Sequence, residues 1–504
     1  MNVSSCAQAH EMTDPSSASL LFSLVSRRQF LRAAGVAALS PAVLTAAACG
    51  PFGSQTAAKT GSTTHDFVTR PDLKPPLITT TATGPAVASG LIFITANGPL
   101  IVDNNGSPVW YQPAAAGKSV SDLNVQQYQG KPVLTWWEGK VMSPGFGRGE
   151  HVVLDTQYKE LRRIQAGNGQ QADLHELVLT PEGTALLTAF QPVAADLSAQ
   201  GGSATGMVFD CLVQEIELPS GRVLFEWHSR DHVATTESYS PVPKTGSTAY
   251  DYFHVNSIDV GPDGNLLISA RNTWTVYKLQ RQTGAVVWRL GGKQSDFTLG
   301  SGVKFSWQHD ARWRPDGSLT LFDDAASPTE EPQSRGLQLL VDESAKTVAL
   351  KQQFTHPGGL LATSQGNMQR LDDGHLLIGW GALPYFSEFT ATGEMIFDGK
   401  LATNQSYRAF RFPWTGKPTT TPTVVGRRAG NGSLQLFTSW NGATDVAQWE
   451  VHAGASAAAL ARVAVAARTG FETTISIAGS GPFVAAHALD SAGGVLGISP
   501  TIQV

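Results

Sequence analysis

The sequence predicts an all-β protein that consists of a six-bladed β-propeller followed by a small β-sandwich. Turn glycines recur between short apolar runs, a second series of turns interleaves with the first, and alternating strands without this repeat follow near the carboxyl terminus. The chain has 504 residues, 41% of them apolar and only 15% charged, with 51 glycines and 28 prolines. This composition is typical of a globular β protein with many turns. A net charge of −5 offers no basic surface for nucleic acid.

The first series of turns consists of hairpins with a glycine in the loop. The clearest copy spans residues 251–272, DYFHVNSIDVGPDGNLLISARN, in which two apolar-patterned runs flank a Pro-Asp-Gly turn. Because the two strands are antiparallel, their open ends lie at the same edge of the sheet. The turn glycines of the five copies are Gly130, Gly183, Gly264, Gly317 and Gly374.

The second series consists of turns that alternate with the glycine hairpins along the chain. They lie near Asn105, Gln157, Ser220, Thr283, Ser344 and Thr392. Two hairpins in every 50 to 60 residues, roughly, are typical of four-stranded propeller blades, so six such turns predict six blades. We expect the first blade to begin near Thr80. The segment Ser406–Trp414 is expected to return to this blade and close the ring, because an open ring leaves unpaired strand edges.

Residues 1–49 resemble an export signal. The pair Arg27-Arg28 precedes a moderately apolar run and then small residues before Cys49, which is the pattern of a twin-arginine signal that ends in a lipoprotein cleavage site. Cleavage would leave Cys49 as an acylated amino terminus and Cys211 as the only thiol, which excludes a disulfide within the mature chain. We therefore expect a lipid-anchored protein on the extracytoplasmic face of the cell membrane. The alternative is an amphipathic leader with a chance cysteine.

Three segments follow the signal. Residues 50–78 are rich in Ser, Thr, Gly and Lys and are predicted to form a flexible linker. The propeller is assigned to residues 79–416. Residues 420–504 contain short alternating strands with sparse charge and no cluster of catalytic residue types, so we expect an accessory β-sandwich of the immunoglobulin or fibronectin type III kind.

One step of the repeat, between Gly183 and Gly264, contains a long insertion with Trp227, His228 and His232. A loop of this length is either a lid over a functional site or a surface loop held by its own packing. We favour the second interpretation, with the tryptophan as the packing residue.

The innermost strands of a propeller line a central channel, so residues at the same position in successive blades converge at one mouth. Hydrogen-bonding side chains occupy this position, about eight residues before the turn glycines, or lie close to it. They are His175, His254, Asn256, His309 and Asn367. The strands that return from the turns add Glu138, Arg271, Asn272, Asp323, Asp324 and Trp380.

Imidazoles can act as nucleophile, acid or base near neutral pH, and a guanidinium beside them suits an oxyanion. Two other interpretations stay open. Polar residues at strand starts often only tie blades together, and this interpretation is favoured for His175, which Glu176 and an apolar strand follow. Converging His, Asp and Glu can also bind a metal, but the chain has no close-set ligand motif such as HExxH, so we expect no metal and no other cofactor.

Four blocks of sequence occur in order: DYFHVNSID, FSWQHDARW with DGSLTLFDDA, the arginine in QSRGLQLL, and SQGNMQRLDDGHLLIGWG. With them the chain resembles the arylsulfotransferase family over about residues 80–415, in the branch shared by actinobacterial and fungal exported proteins. The resemblance implies a six-bladed propeller that moves a sulfuryl group from an aryl sulfate donor to a phenolic acceptor through a sulfated histidine. Position by position, it implies that His254, His309 and Arg335 are catalytic. The candidates for substrate binding are Asn256, Arg271, Asn367 and His175.

The chain departs from this pattern in the sixth blade. The bacterial enzymes place the nucleophilic histidine there, whereas this chain has Gly366-Asn367, and His356 and His375 lie at other positions of the repeat. Either His254 or His309 has taken the nucleophile's part, or the protein transfers no sulfuryl group. In the second case it is a non-catalytic propeller lipoprotein that binds anionic aromatic ligands or glycans, or an envelope scaffold.

Overall fold

A computed structural model describes residues 62–83, 86–430, 432–479 and 481–504. These residues belong to one compact unit. The predicted export signal with Cys49 lies outside the described residues, as does most of the predicted linker. The helices in the described segments are single turns at Ser198–Gln200, Ser229–His232 and Thr235–Glu237. None of them has the length or apolar character to span a bilayer.

Residues 78–412 form a succession of mainly antiparallel sheets. The strands are β1 (Ile78–Ala82), β2 (Leu91–Thr95), β3 (Pro99–Val102), β4 (Pro108–Tyr111), β5 (Ser119–Tyr128), β6 (Lys131–Met142), β7 (Phe146–Leu154), β8 (Glu160–Ile164), β9 (Leu177–Leu179), β10 (Thr184–Ala195), β11 (Gly206–Glu217), β12 (Val223–His228), β13 (Val255–Val260), β14 (Leu266–Ala270), β15 (Thr275–Leu279), β16 (Val286–Gly291), β17 (Thr298–Leu299), β18 (His309–Trp313), β19 (Ser318–Asp323), β20 (Arg335–Asp342), β21 (Thr347–Phe354), β22 (Asn367–Arg370), β23 (Leu376–Gly379), β24 (Tyr385–Phe389), β25 (Met395–Leu401) and β26 (Phe410–Phe412).

These strands form six sheets of four or five strands. In chain order the sheets are β26-β2-β3-β4, β5-β6-β7-β8, β9-β10-β11-β12, β13-β14-β15-β16, β18-β19-β20-β21-β17 and β22-β23-β24-β25-β1. We call them the first to the sixth sheet, and the first strand of each is its inner strand. Apolar clusters fill the space between neighbours; one joins Leu267 and Trp288 of the fourth sheet to Leu319 and Leu337 of the fifth. This arrangement is consistent with a propeller-like fold.

The five glycine hairpins are confirmed. Each turn glycine lies between an inner strand and its neighbour and has a positive φ, from 71° at Gly130 to 89° at Gly374. A Cβ added at any of the five would meet no described atom within 4 Å. The backbone conformation, rather than lack of space, therefore favours glycine at these turns.

Two strands join the ends of this region to each other. Strand β26, inside the segment predicted to close the ring, pairs with β2 through Phe410↔Phe93 and Phe412↔Leu91. Strand β1, however, pairs with β25 in the sixth sheet, so the expectation that the first blade begins near Thr80 is wrong. Each of these strands covers a sheet edge that would otherwise have unpaired backbone groups.

The carboxyl-terminal region forms two further sheets. Its strands are β27 (Thr423–Arg428), β28 (Leu434–Ser439), β29 (Gln448–Gly454), β30 (Ala461–Ala467), β31 (Glu472–Ile477), β32 (Phe483–Leu489), β33 (Val495–Ile498) and β34 (Ile502–Gln503). The sheets have the orders β27-β28-β31 and β30-β29-β32-β33, and β34 also pairs with β32. Buried side chains such as Leu436, Trp449 and Ile475 belong to one apolar cluster.

This region contacts the first two sheets directly. The Asn441 side chain accepts a hydrogen bond from the Tyr111 N–H and donates one to the Tyr111 carbonyl, at 3.0 Å each. The Tyr158 hydroxyl donates to the Gly442 carbonyl at 2.9 Å and accepts from the Trp414 indole at 3.1 Å. Partly buried hydrogen bonds therefore hold the carboxyl-terminal sheets against the rest of the unit.

Candidate active site

A cavity of about 850 Å³ lies beside the amino-terminal ends of the inner strands. Three imidazoles from consecutive sheets line it. They are His175, which precedes β9, His254, which precedes β13, and His309, which begins β18. The rings of His175 and His254 meet edge to face, with 4.9 Å between their centroids. The structure therefore brings these three histidines together at one cavity.

His175 is held by a buried carboxylate. Its Nδ1 lies 2.5 Å from Asp173 Oδ2, and the Asp173 carboxylate also accepts hydrogen bonds from the Gly147 N–H, the His175 N–H and the Thr188 hydroxyl. Although burial opposes ionisation, these partners hold the pKa of Asp173 below its ordinary value. An ionised carboxylate only accepts, so Nδ1 of His175 carries hydrogen and Nε2 has the free lone pair. Burial lowers the pKa of His175, which keeps the ring neutral at pH 7.

His254 has the same arrangement with a partner from its own loop. Its Nδ1 lies 2.5 Å from Asp251 Oδ2. The backbone φ of His254 is +59°, in the left-handed region that L-residues rarely adopt, and the pairing of β13 with β14 shifts immediately afterwards. Strained residues of this kind concentrate at functional sites. Among the described residues, Nε2 has no hydrogen-bond partner in either His254 or His175.

His309 differs from the other two histidines because both of its ring nitrogens have hydrogen-bond partners. Its Nδ1 lies 2.7 Å from Asp324 Oδ2, and its Nε2 accepts a hydrogen bond from the Gln365 N–H at 3.2 Å. Burial and then the charge of Arg271 hold the pKa of His309 well below its ordinary value, and burial raises the pKa of Asp324. His309 is therefore a neutral ring whose two nitrogens both have protein partners.

Arg271 is one of the cationic residues that line the cavity, together with Lys118. Its Nη1 donates to Asn272 Oδ1 and its Nη2 to the Thr363 carbonyl, both at 2.9 Å, and its guanidinium lies 4.8 Å from the centre of the Trp307 ring. The Nε–H is buried without a partner among the described residues. Burial lowers the pKa of Arg271, but a guanidinium stays charged at neutral pH. The prediction for Arg271 agrees with its place in the lining of the cavity.

Tyr407 lines the cavity, and the next residue, Arg408, is buried outside the lining. The Tyr407 ring is 5.6 Å from His175 and 6.5 Å from His309, and the Arg408 guanidinium lies 5.0 Å from the Tyr407 centroid. Arg408 is fully buried and contacts carboxylates from three sheets. These are Asp122 at 3.2 Å, Glu176 at 3.2 Å and Asp310 at 3.5 Å. No role was predicted for Arg408 from the sequence. The segment around it, Ser406–Trp414, was predicted only to return to the first blade and close the ring.

Arg335 does not lie at the cavity, contrary to its predicted catalytic role. Its guanidinium is bound to Asp323 Oδ2 at 3.0 Å, Gln353 Oε1 at 3.0 Å and the Lys304 carbonyl at 2.6 Å. All three nitrogens have protein partners, and the residue is absent from the cavity lining. Arg271, predicted to bind substrate, lines the cavity, whereas Arg335 does not.

Asn256 and Asn367, predicted to bind substrate, instead bind the backbone. Asn256 Nδ2 donates to the Gln308 carbonyl at 2.8 Å. Asn367 both donates to the Ala409 carbonyl at 2.8 Å and accepts from the Ala409 N–H at 2.9 Å. Both side chains are fully buried and neither lines the cavity. They tie neighbouring elements together, which is the structural role left open for such residues.

The position of Gly366 explains why the sixth sheet contributes no imidazole. Its φ is +97°, and an added Cβ would lie 2.5 Å from the Phe322 ring and 2.9 Å from the Gly379 carbonyl. A histidine at this position would clash with both. His356 pairs with Asp398 at 3.4 Å and His375 with Glu388 at 2.9 Å, and neither lines the cavity.

The remaining predicted residues have structural partners. Of those on the returning strands, Asn272 lines the cavity and Asp324 supports His309, whereas Glu138 pairs with Lys118 and Arg163. In the long insertion, Trp227 is buried and stacks on His232 with 5.1 Å between ring centroids. This contact agrees with a loop packed by its tryptophan.

One cluster in the carboxyl-terminal sheets was missed. Glu450, His452 and His487 lie together there, although the sequence analysis expected no such group in this region. The Glu-Val-His spacing on an alternating strand was the available signal, because residues two apart share a face. The position of His487 on a neighbouring strand could not be read from the sequence.

Solved structures similar to this chain share little sequence with it. A protein of unknown function from Bacteroides caccae is 13% identical, covers 64% of this chain and 98% of its own, and has a TM-score of 0.38. A virginiamycin B lyase from Staphylococcus aureus is 9% identical, with coverages of 64% and 98% and a TM-score of 0.33. Likeness at this level supports no inference about function.

Sequence comparison is more informative. No match was found among curated protein sequences. The family described as Arylsulfotransferase (ASST) matches residues 124–403, which is more than half of the chain and includes the three cavity histidines and Arg271. This chain therefore belongs to the arylsulfotransferase family.

Proposed function

We propose that this protein transfers a sulfuryl group from an aryl sulfate to a phenolic acceptor, with His254 as the nucleophile. The observation that carries the proposal is the cavity itself, where three histidines, each fixed through Nδ1 by a carboxylate, face a common space beside Arg271. In this proposal the six sheets are the blades of a propeller and the carboxyl-terminal sheets are an immunoglobulin-like sandwich. We also propose that the chain belongs to the branch shared by actinobacterial and fungal exported proteins.

His254 is the best candidate for the nucleophile because its Nε2 is both unpaired and reachable. Its side chain is 9% exposed, against 3% for His175 and 2% for His309. His309 is less suitable, since the Gln365 N–H occupies its Nε2 lone pair. The hydrogen bond to Asp251 stabilises the positive charge that the His254 ring acquires when Nε2 forms a bond.

The reaction has two steps. First, the Nε2 lone pair of His254 attacks sulfur as the bond between sulfur and the aryl oxygen breaks, and the aryl oxide leaves with the electron pair. In the second step the acceptor oxygen attacks sulfur, its proton passes to Nε2 of His175, and the nitrogen–sulfur bond breaks to regenerate neutral His254. His175 then gives this proton to the next leaving aryl oxide or to solvent.

Arg271 and Tyr407 complete the site. The Arg271 guanidinium lines the cavity and offers positive charge to the negatively charged sulfuryl oxygens. Burial raises the pKa of the Tyr407 hydroxyl, so this residue stays a neutral aromatic wall beside His175 and His309. The Trp307 face fixes the direction of the guanidinium through a cation–π contact.

A donor assay tests the activity. Purified protein with 4-nitrophenyl sulfate should release nitrophenol at a rate that depends on an added phenol. We expect His254→Ala to lower this rate at least about 10³-fold, as loss of a nucleophile does. The matched control is His356→Ala, which removes an imidazole outside the cavity and should retain the activity. Equal rates in wild type and His254→Ala would contradict the proposal.

A second candidate function is binding without transfer, which the absence of an imidazole at Gly366 favours. In that case an aryl sulfate raises the thermal midpoint of unfolding, since a ligand bound only to the folded state stabilises it. Turnover with any donor and phenol pair excludes this alternative.

We also propose that the protein is exported and anchored by lipid at Cys49. The twin-arginine pair and the small residues before Cys49 support this proposal. Metabolic labelling with a radioactive fatty acid should mark the wild-type protein and leave Cys49→Ser unlabelled. Labelling of both proteins to the same extent would contradict it.

A further inference from the structure

The cluster Glu450, His452 and His487 lies on the outer face of the sheet β30-β29-β32-β33. Glu450 and His487 are directly paired across β29 and β32, and His452 lies two residues along β29. Paired residues and residues two apart project from the same face of a sheet. Ala485, the partner of His452, is a small residue that leaves room for the two imidazole rings above it.

The three side chains direct ligand atoms at one point. Nε2 of His452 lies 2.5 Å and Nδ1 of His487 lies 3.9 Å from the same oxygen, Glu450 Oε1. The rings of His452 and His487 stack with 3.9 Å between their centroids. Because 3.9 Å exceeds a hydrogen bond, the carboxylate leaves Nδ1 of His487 without a partner among the described residues.

A metal ion bound between the three side chains would give each of them a partner, including Nδ1 of His487. Zinc binds imidazole nitrogen and carboxylate oxygen at about 2.0–2.2 Å, which separates tetrahedral ligand atoms by roughly 3.4 Å. The two distances to Glu450 Oε1 lie on either side of this value, so small side-chain rotations would bring all three atoms into position. Two histidines and one carboxylate leave at least one coordination position open.

The surroundings suit a bound ion that solvent can reach. The three side chains are between 16% and 19% exposed. Val465 and Ile498 flank the cluster in the same row across the sheet, each 49% exposed. Arg462 Nη1 lies 3.4 Å from Glu450 Oε2, and the Arg462 side chain is 66% exposed.

We infer that Glu450, His452 and His487 form a binding site for a divalent transition-metal ion such as Zn²⁺, with an open position for water or a ligand. The site is independent of the histidine cavity and of the proposed transfer reaction. It gives the carboxyl-terminal sheets a binding function of their own.

Metal titration tests this inference. Full-length protein without a histidine tag is stripped with chelator and titrated with Co²⁺, while visible absorption is recorded, and Zn²⁺ content is measured after equilibrium dialysis. We expect one ion per chain and the absorption of a site with nitrogen and oxygen ligands. His487→Ala and Glu450→Gln should each weaken metal binding by at least about tenfold. This is the lower end of the typical loss when a residue that only supports a metal ligand is replaced, and a ligand should matter at least as much.

Two control variants locate the ion. His375→Ala removes an imidazole from the other described His and carboxylate group, Asp373, His375 and Glu388. His254→Ala removes one from the cavity. Both should bind as tightly as the wild type. The inference is overturned if wild type binds no ion, if His487→Ala and Glu450→Gln bind unchanged, or if a control variant loses the ion instead. Circular dichroism verifies that each variant is folded.

Discussion

His151 is a buried histidine outside the cavity, and it makes the stability of the protein depend on pH. It is fully buried in β7, and its Nε2 has no hydrogen-bond partner among the described residues. Burial lowers its pKa to about 4. In the unfolded chain the pKa is about 6.5, so the unfolded state binds a proton that the folded state does not bind between these two values.

The titration of His151 should therefore leave the free energy of unfolding unchanged above about pH 6.5 and lower it as the pH falls from 6.5 toward 4. At about 1.4 kcal/mol for each pH unit, His151 alone accounts for roughly 3 kcal/mol of this loss. We expect His151→Gln, which does not titrate, to show a correspondingly shallower fall in the free energy of unfolding. Urea denaturation of both proteins at several pH values measures this difference. Parallel curves over that range would contradict the assignment.

The sequence predicted which types of residue form the candidate site, but it predicted only some of their positions. Counting eight residues back from a turn assumes a regular strand, but the pairing of β13 and of β18 shifts near its start. At Gly264 the count falls on Asn256, which binds a backbone carbonyl, whereas His254, which was also predicted, lies two residues earlier and lines the cavity. Asp173 and Asp251, which orient His175 and His254, belong to loops and could not be assigned from the repeat, whereas Asp324 beside His309 was predicted at the mouth.

At the level of elements, Arg408 connects strands that are far apart in the sequence. It precedes β26 and contacts Asp122 of β5, Glu176 before β9 and Asp310 of β18. Its Nη2 also donates to the Asn256 carbonyl at 2.9 Å. Asp122 and Asp310 both have φ of +58°, which marks irregular positions in their inner strands. The closing segment thus supplies the cation that compensates carboxylates from three sheets.

Removal of this cation should destabilise the whole assembly. We expect Arg408→Met to lower the free energy of unfolding by about 3–5 kcal/mol, because it removes the ion-pair partner of the buried Asp122 and leaves Arg312 as the remaining cation beside Glu176 and Asp310. The matched control is Arg370→Met on β22, whose ion pair with Asp316 is 36% and 30% exposed and worth at most about 1 kcal/mol. Equal losses in the two variants, measured by urea denaturation, would show that Arg408 has no special role.

At the scale of the whole molecule, the repeat of turns predicted the strand pattern well. Both series of turns lie between paired strands, and the return of β26 to β2 follows from the need to cover an edge. The sequence did not predict that β1 joins the sixth sheet, because a lone strand carries no turn signal that assigns its partner. Nor did it predict the contact of Asn441 with Tyr111, which depends on how distant segments pack.

In the proposed reaction, His254 carries the sulfuryl group from the donor to the acceptor. A brief exposure to 4-nitrophenyl sulfate without acceptor, a quench in base and digestion to peptides would reveal the modified residue by mass spectrometry. We predict the mass of one sulfuryl group on the peptide that contains His254, and its loss when a phenol is added before the quench. A protein that turns over the donor while the sulfuryl mass appears on another residue, or on none, would contradict this account.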